Sequence, residues 1–106
     1  MNTPETWIDA AAAQDLFDGA SIAVEVHGRM IALHTVGGVP YATDNECTHG
    51  GAQLCDGFLD GFEIECPLHQ GRFDVRDGKA LCAPLTENVR AYPVRIDGAR
   101  VLVRID

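Results

Sequence analysis

Apolar residues alternate with polar or small ones along most of the chain, in the period of two that puts every second side chain on one face of a strand. Ile22, Val24 and Val26 share one face, and Ile31 and Leu33 continue the pattern beyond Gly28. Gly37-Gly38 falls between this run and VPYAT as a two-residue hairpin turn does, and Asp97-Gly98 separates AYPVRI from ARVLVRI in the same way. These spacings predict two antiparallel hairpins. Pro93 has no N–H to give to a ladder, so its strand is expected at a sheet edge or to begin there. One segment reads differently. AAAAQDLF follows Asp9, a residue suited to an N-cap, and predicts a helix of barely two turns. The expected fold class is all-β.

Between residues 45 and 78 the texture changes. Glycines crowd in at Gly50, Gly51, Gly57, Gly61, Gly71 and Gly78, and the clustered Cys/His pairs fall in the same stretch. This predicts a loop-and-hairpin subdomain at about residues 45–76, inserted into an antiparallel β sandwich or barrel formed by about residues 1–44 and 77–106. A length of 106 residues matches a single domain. The sequence contains no evident internal repeat, linker or low-complexity segment.

Composition narrows the class. With 46% hydrophobic and 23% charged residues the chain resembles an ordinary globular protein rather than a disordered segment or a coiled coil. The start, MNTPETWIDA, has neither a basic n-region nor an apolar h-region, and no apolar run approaches the ~20 residues of a membrane span. A cytoplasmic chain without membrane contact is expected. A formal net charge of -8 argues against nucleic acid, which needs a basic footprint to release counterions. It suits a protein partner with a basic docking face, or solubility alone. Four cysteines without a signal peptide point to thiols or metal ligands rather than a disulfide framework.

Their positions say more. NECTHGG holds Cys47 and His49 in a C-x-H spacing; ECPLHQGRF holds Cys66 and His69 in a C-x-x-H spacing. Sixteen residues separate the two pairs, among them DGFLDGFEIE, which can run out and back as a short hairpin and return the second loop beside the first. Each loop then contributes one thiolate and one imidazole. A single tetrahedral zinc ion would take all four. A two-iron, two-sulfide cluster would take both cysteines on one iron and both histidines on the other. Zinc sites of this ligand set usually pair Cys with Cys on a turn and His with His on a helix. Here each loop is mixed and no helix pattern follows Cys66, so the spacing favours iron over a zinc-stabilised interaction module.

CTHGG and CPLHQGRFD resemble the two cluster-binding boxes of Rieske proteins, and the resemblance extends over nearly the whole chain. It is closest to the small Rieske ferredoxins of bacterial aromatic-ring-hydroxylating dioxygenase systems, of the naphthalene dioxygenase type. The resemblance implies a Rieske fold and one [2Fe-2S] cluster, with Cys47 and Cys66 on the inner iron and His49 and His69 on the outer iron near the surface. CAPLTENV, with Ala83-Pro84, stands where the family has a proline loop covering a third side of the cluster. The implied role is one-electron carriage from a flavin-containing, NAD(P)H-dependent ferredoxin reductase to the Rieske centre of a terminal oxygenase, which cis-dihydroxylates an arene. The chain itself would then not be an enzyme. No glycine fingerprint for a nucleotide and no nucleophile elbow competes with that reading. Similar small Rieske domains serve as subunits of larger enzymes such as nitrite reductases, and that alternative stays open.

The ligand set has its own electrostatics. Two ferric ions, two sulfides, two thiolates and two neutral imidazoles sum to about zero charge, against about minus two for an all-Cys cluster, so an added electron is repelled less. High-potential Rieske proteins of respiratory complexes add a disulfide and hydroxyl donors to the cluster sulfurs. The corresponding positions here are Ala52, Leu68, Gly71 and Phe73, which offer neither. The expected potential is therefore at the lower end of the Rieske range.

Cys55 and Cys82 lie outside both boxes and are expected to be ordinary thiols. His27 and His34 are expected to be surface or packing residues. Phe58, Phe62 and Phe73 are expected to support the site as hydrophobic packing. An apolar rim around His49 and His69 is the expected docking surface.

Overall fold

The computed structural model describes residues 7–48, 50–68, 70–83 and 85–105. Strands β1 (Trp7–Ala12), β9 (Val94–Asp97) and β10 (Arg100–Arg104) form a three-stranded sheet in the order β1-β10-β9. Strands β2 (Ser21–Val26), β3 (Arg29–Val36), β4 (Val39–Asp44) and β8 (Ala91–Tyr92) form a four-stranded sheet in that order. A second three-stranded sheet holds β5 (Phe58–Asp60), β6 (Glu63–Glu65) and β7 (Arg72–Asp74). Every strand pairing is antiparallel.

The Gly37-Gly38 hairpin forms as expected. Val36 pairs with Val39, and both glycines take positive φ, 59° and 80°, the mirror-image turn whose twist matches the strands it joins. The second expected hairpin forms one residue later than its sequence signal. Asp97 is still in the ladder, opposite Arg100, so the turn is Gly98-Ala99, with Gly98 at φ 60° in the first central place. Pro93 is placed as its missing N–H requires. It stands between β8, which pairs with β4, and β9, which pairs with β10, where the chain passes from one sheet to the other.

The expected helix after Asp9 is absent. Residues Trp7–Ala12 pair with β10 and only Ala13–Asp15 turn, as a single 3-10 turn. A helix of two turns is marginal even for alanine, and a full ladder with β10 outweighs that propensity. Asp9 binds Arg100 across the ladder at 2.7 Å instead of capping, and a bulge between Asp9 and Ala11 keeps Ala11 turned into the core.

Two apolar clusters hold the molecule. Val26, Ile31, Leu33, Ala42, Tyr92 and Val103 bury themselves between the β1-β10-β9 sheet and the four-stranded sheet. Leu54, Ile64, Phe73, Val75 and Val89 form the second cluster together with Cys47 and Cys66. Val36 and Tyr41, at the far end of the β3–β4 hairpin, pack against that second cluster, so the four-stranded sheet forms one of its walls. Each fully buried Leu, Ile or Phe contributes about 1.5–3 kcal/mol relative to exposure. Among the described residues no helix is long and apolar enough to cross a membrane.

Candidate metal centre

The two cysteine loops are built alike. In the first, a backbone bridge joins Glu46 to Gln53, and the Cys47 N–H donates to the Ala52 carbonyl at 2.9 Å. In the second, Glu65 pairs with Arg72, and the Cys66 N–H donates to the Gly71 carbonyl at 2.7 Å. In each loop the cysteine is therefore the first residue past the neck. The residue before each closing carbonyl is left-handed: Gly51 at φ 72° and Gln70 at φ 61°. Gly50, at φ 112°, tightens the first loop further and donates its N–H to the Cys47 carbonyl at 2.9 Å. Asn45 braces that loop from beneath, its side-chain oxygen accepting the Cys55 N–H at 3.0 Å.

Both loops deliver their cysteine to one place. Cys47 and Cys66 are each 1% exposed and belong to the same buried cluster, with no disulfide between them. Burial, then the hydrogen bond and charge of Cys47 beside it, hold the Cys66 thiol well above the usual thiol range. Two adjacent thiols in a dry pocket resist ionising together unless a cation joins them, and a bound metal deprotonates such a thiol outright. The pair therefore fits a metal centre with two sulfur ligands on one ion. Among the described residues no third His, Cys, Asp or Glu completes a ligand group with them. His49 and His69, the other two expected ligands, lie outside the described residues.

The Rieske [2Fe-2S] domain family matches residues 6–93. The chain belongs to that family. It is similar to the ferredoxin component of a naphthalene 1,2-dioxygenase system from Pseudomonas aeruginosa, with 58% identity over 99 residues, 93% of this chain and 95% of the relative. Among solved structures it resembles the ferredoxin of carbazole 1,9a-dioxygenase from Nocardioides aromaticivorans IC177, at 40% identity and TM-score 0.88, covering 92% of this chain and 96% of the other. It also resembles a chain of a complex of reduced oxygenase and oxidized ferredoxin in carbazole 1,9a-dioxygenase, at 37% identity and TM-score 0.86, covering 92% of each chain.

In this Rieske domain a third loop, residues 81–88, is fastened to both cysteine loops. The Thr48 hydroxyl donates to the Glu87 carbonyl at 2.8 Å, and the Leu81 N–H donates to the Arg72 carbonyl at 2.8 Å. Leu85 lies so close to Gly71 that a β-carbon there would come within 2.5 Å of its Cγ. Pro84, expected at the centre of this loop, lies outside the described residues. Leu68 in the second loop and Leu81 in the third present apolar surface, 47% and 42% exposed.

The aromatic support divides. Phe73 is fully buried behind the cysteines. Phe62 packs edge-on against Tyr41 at 5.9 Å, with the Arg76 guanidinium 4.1 Å above its ring. Phe58 does not pack as expected: it is 62% exposed, because cross-strand pairing puts it on the same face as Glu65 and Arg72. Cys55 and Cys82 are free thiols. His27 is exposed in the β2–β3 turn, whereas His34 is buried between Ser21 and Thr43.

Sequence reasoning missed three residues that shape this centre: Thr48, Leu85 and Arg72. For Arg72 a signal existed. The windows ECTHGGAQ and ECPLHQGR place a glutamate before each cysteine and end on the residue that closes the loop. Aligning them singles out Gln53 and Arg72. Nothing local marks Leu85 or Thr48, whose partners lie on another loop.

Proposed function

We propose that this chain is a one-electron carrier that takes electrons from a flavin-containing, NAD(P)H-dependent ferredoxin reductase and passes them to the Rieske centre of a terminal aromatic-ring dioxygenase, supporting cis-dihydroxylation of an arene. The observation that carries the reading is the pair of matched cysteine loops that bring Cys47 and Cys66 together in one buried pocket. The likeness to dioxygenase ferredoxin components over nearly the whole chain supports the partner assignment. The working compartment is the cytoplasm.

Cys47 and Cys66 would hold one iron, and His49 and His69 the other. The bound [2Fe-2S] cluster supplies one reversible electron at a potential raised by its two imidazole ligands. The chain's own residues do the rest. Leu54, Ile64 and Phe73 exclude water behind the thiolates. The two loop-closing hydrogen bonds hold the backbone of each cysteine at the neck of its loop. Leu68 and Leu81 offer a partner an apolar contact beside the second loop, and the acidic surface favours encounter with a basic docking face. In this reading residues of about 45–76 form the cluster lobe of a single domain whose base is the remainder of the chain.

Visible absorption and low-temperature EPR of anaerobically purified, dithionite-reduced protein test the ligand assignment, with iron, sulfide and zinc assayed on the same sample. A red-brown protein with about two irons per chain and a rhombic reduced signal is expected. A colourless protein holding one zinc would overturn the electron-transfer reading. Reconstitution with a ferredoxin reductase and an aromatic-ring oxygenase then tests the partners. Arene-dependent NAD(P)H oxidation should require this chain.

A further inference from the structure

The outer face of the β5-β6-β7 sheet is a ladder of charge. Pairing sets Glu65 opposite Arg72, and it puts Asp60 and Glu63 on the same face. The Arg72 guanidinium reaches all three carboxylates, Glu65 at 3.1 Å and Asp60 and Glu63 at 3.4 Å each. Arg72 and Glu65 are also the two residues that close the neck of the second cysteine loop, directly outside the bond between the Cys66 N–H and the Gly71 carbonyl. At the neck of the first loop Glu46 faces Gln53, a neutral amide. Of the four neck residues, Arg72 is the one cation.

We propose that Arg72 helps set the reduction potential of the metal centre, by offsetting Glu65 at the neck of the second loop together with Asp60 and Glu63 farther along the same sheet face. The inference rests on the electron-carrier reading above. Reduction adds one negative charge to the centre, so fixed negative charge nearby opposes it and fixed positive charge favours it, more strongly where water is scarce. The Arg72 side chain is partly covered, 30% exposed, so solvent reduces its effect without removing it. Its guanidinium keeps its charge throughout the working pH range. Without it, Glu65 at the neck and Asp60 and Glu63 beyond it on the same sheet face would stand uncompensated. A residue that merely stapled three strands would hold the sheet together without moving the potential.

Redox titration of the cluster-loaded wild type, Arg72→Gln, Arg72→Lys, Glu65→Gln and the Arg72→Gln/Glu65→Gln double variant tests this. Iron, sulfide and EPR are recorded for each, so that loss of the cluster is seen separately. Arg72→Gln should lower the reduced-to-oxidised ratio at a fixed potential by on the order of threefold to tenfold, a downward shift of about 30–60 mV for one electron. Arg72→Lys should keep most of the wild-type value. Glu65→Gln should shift upward, and the double variant should return toward wild type. An unchanged potential in fully loaded Arg72→Gln, or equal shifts in the Lys and Gln variants, overturns the proposal. If Arg72→Gln does not hold its cluster, Glu65→Gln decides, and the absence of an upward shift there overturns it. A wild-type protein without iron and sulfide would instead overturn the electron-carrier reading itself.

Discussion

Leu85 fills the space that a β-carbon on Gly71 would need, its Cγ only 2.5 Å from that position. The third loop is therefore seated against the second cysteine loop through a glycine required for room rather than for backbone conformation. Gly71→Ala should push Leu85 away and destabilise the protein by about 1–3 kcal/mol, as overpacking does. A second change, Leu85→Ala, should recover part of that loss and so show negative coupling. Thermal unfolding of the single and double variants measures it, and iron release to a chelator should accelerate in Gly71→Ala and slow again in the double variant.

His34 joins two strands from inside the base. Its Nδ1 lies 2.7 Å from the Ser21 Oγ and its Nε2 2.9 Å from the Thr43 Oγ1. Thr43 spends its own hydroxyl hydrogen on the Asp44 carbonyl, so Thr43 accepts from the His34 Nε2–H and Ser21 donates to Nδ1. Burial lowers the His34 pKa from 6.5 to about 4. A depressed histidine means that the unfolded chain binds the extra proton first. The stability contributed by the neutral ring is full above pH 6.5 and is lost as pH falls toward about 4. The loss amounts to about 3 kcal/mol at the acid end. Urea unfolding of wild type and His34→Gln across pH 7 to 4 should give a difference that shrinks with falling pH over that window. A pH-independent difference would contradict it.

The two phenylalanines at either side of the site-bearing sheet should respond oppositely to truncation. Phe73→Ala removes a fully buried ring from behind the cysteines and should cost about 3–5 kcal/mol. Phe58→Ala, on the exposed face, should stay within about 0.5 kcal/mol in stability. Equal losses in chemical unfolding would contradict the burial difference.

No hydroxyl stands at Ala52, Leu68, Gly71 or Phe73, and Cys55 and Cys82 are free thiols. Hydrogen bonds to cluster sulfur stabilise the reduced form, so a centre lacking hydroxyl donors at these four positions and a neighbouring disulfide should titrate toward the lower end of the roughly -150 to +300 mV Rieske range. Redox titration monitored in the visible should place it below about +100 mV. Introducing a donor with Gly71→Ser, paired with Leu85→Ala to make room, should raise the value.

A chain with a net charge of -8 should meet a basic partner faster in dilute salt than in concentrated salt. Stopped-flow reduction by the ferredoxin reductase should slow as ionic strength rises from about 0.01 to 0.15 M, over which the screening length falls from about 30 to 8 Å. A rate flat across that range would remove electrostatic steering from the mechanism.

Features written in neighbouring residues could be read from the chain directly. Gly37-Gly38 makes its hairpin because the turn requires positive φ at both central positions, a demand met by the two residues themselves. The C-x-H spacing at Cys47 and the C-x-x-H spacing at Cys66, with a hairpin between them, are equally local features of the chain. What could not be read depended on residues far apart in sequence. Trp7–Ala12 is alanine-rich yet extended because Arg100–Arg104, at the other end of the chain, offers it a full ladder. Leu85 needs Gly71, Thr48 needs Glu87, and Arg72 gathers Asp60, Glu63 and Glu65 only through the register of three short strands. Local conformation is settled by the few dihedrals that a turn constrains. Strand ladders, loop contacts and charge balance follow from pairings that exist only once the sheets have assembled.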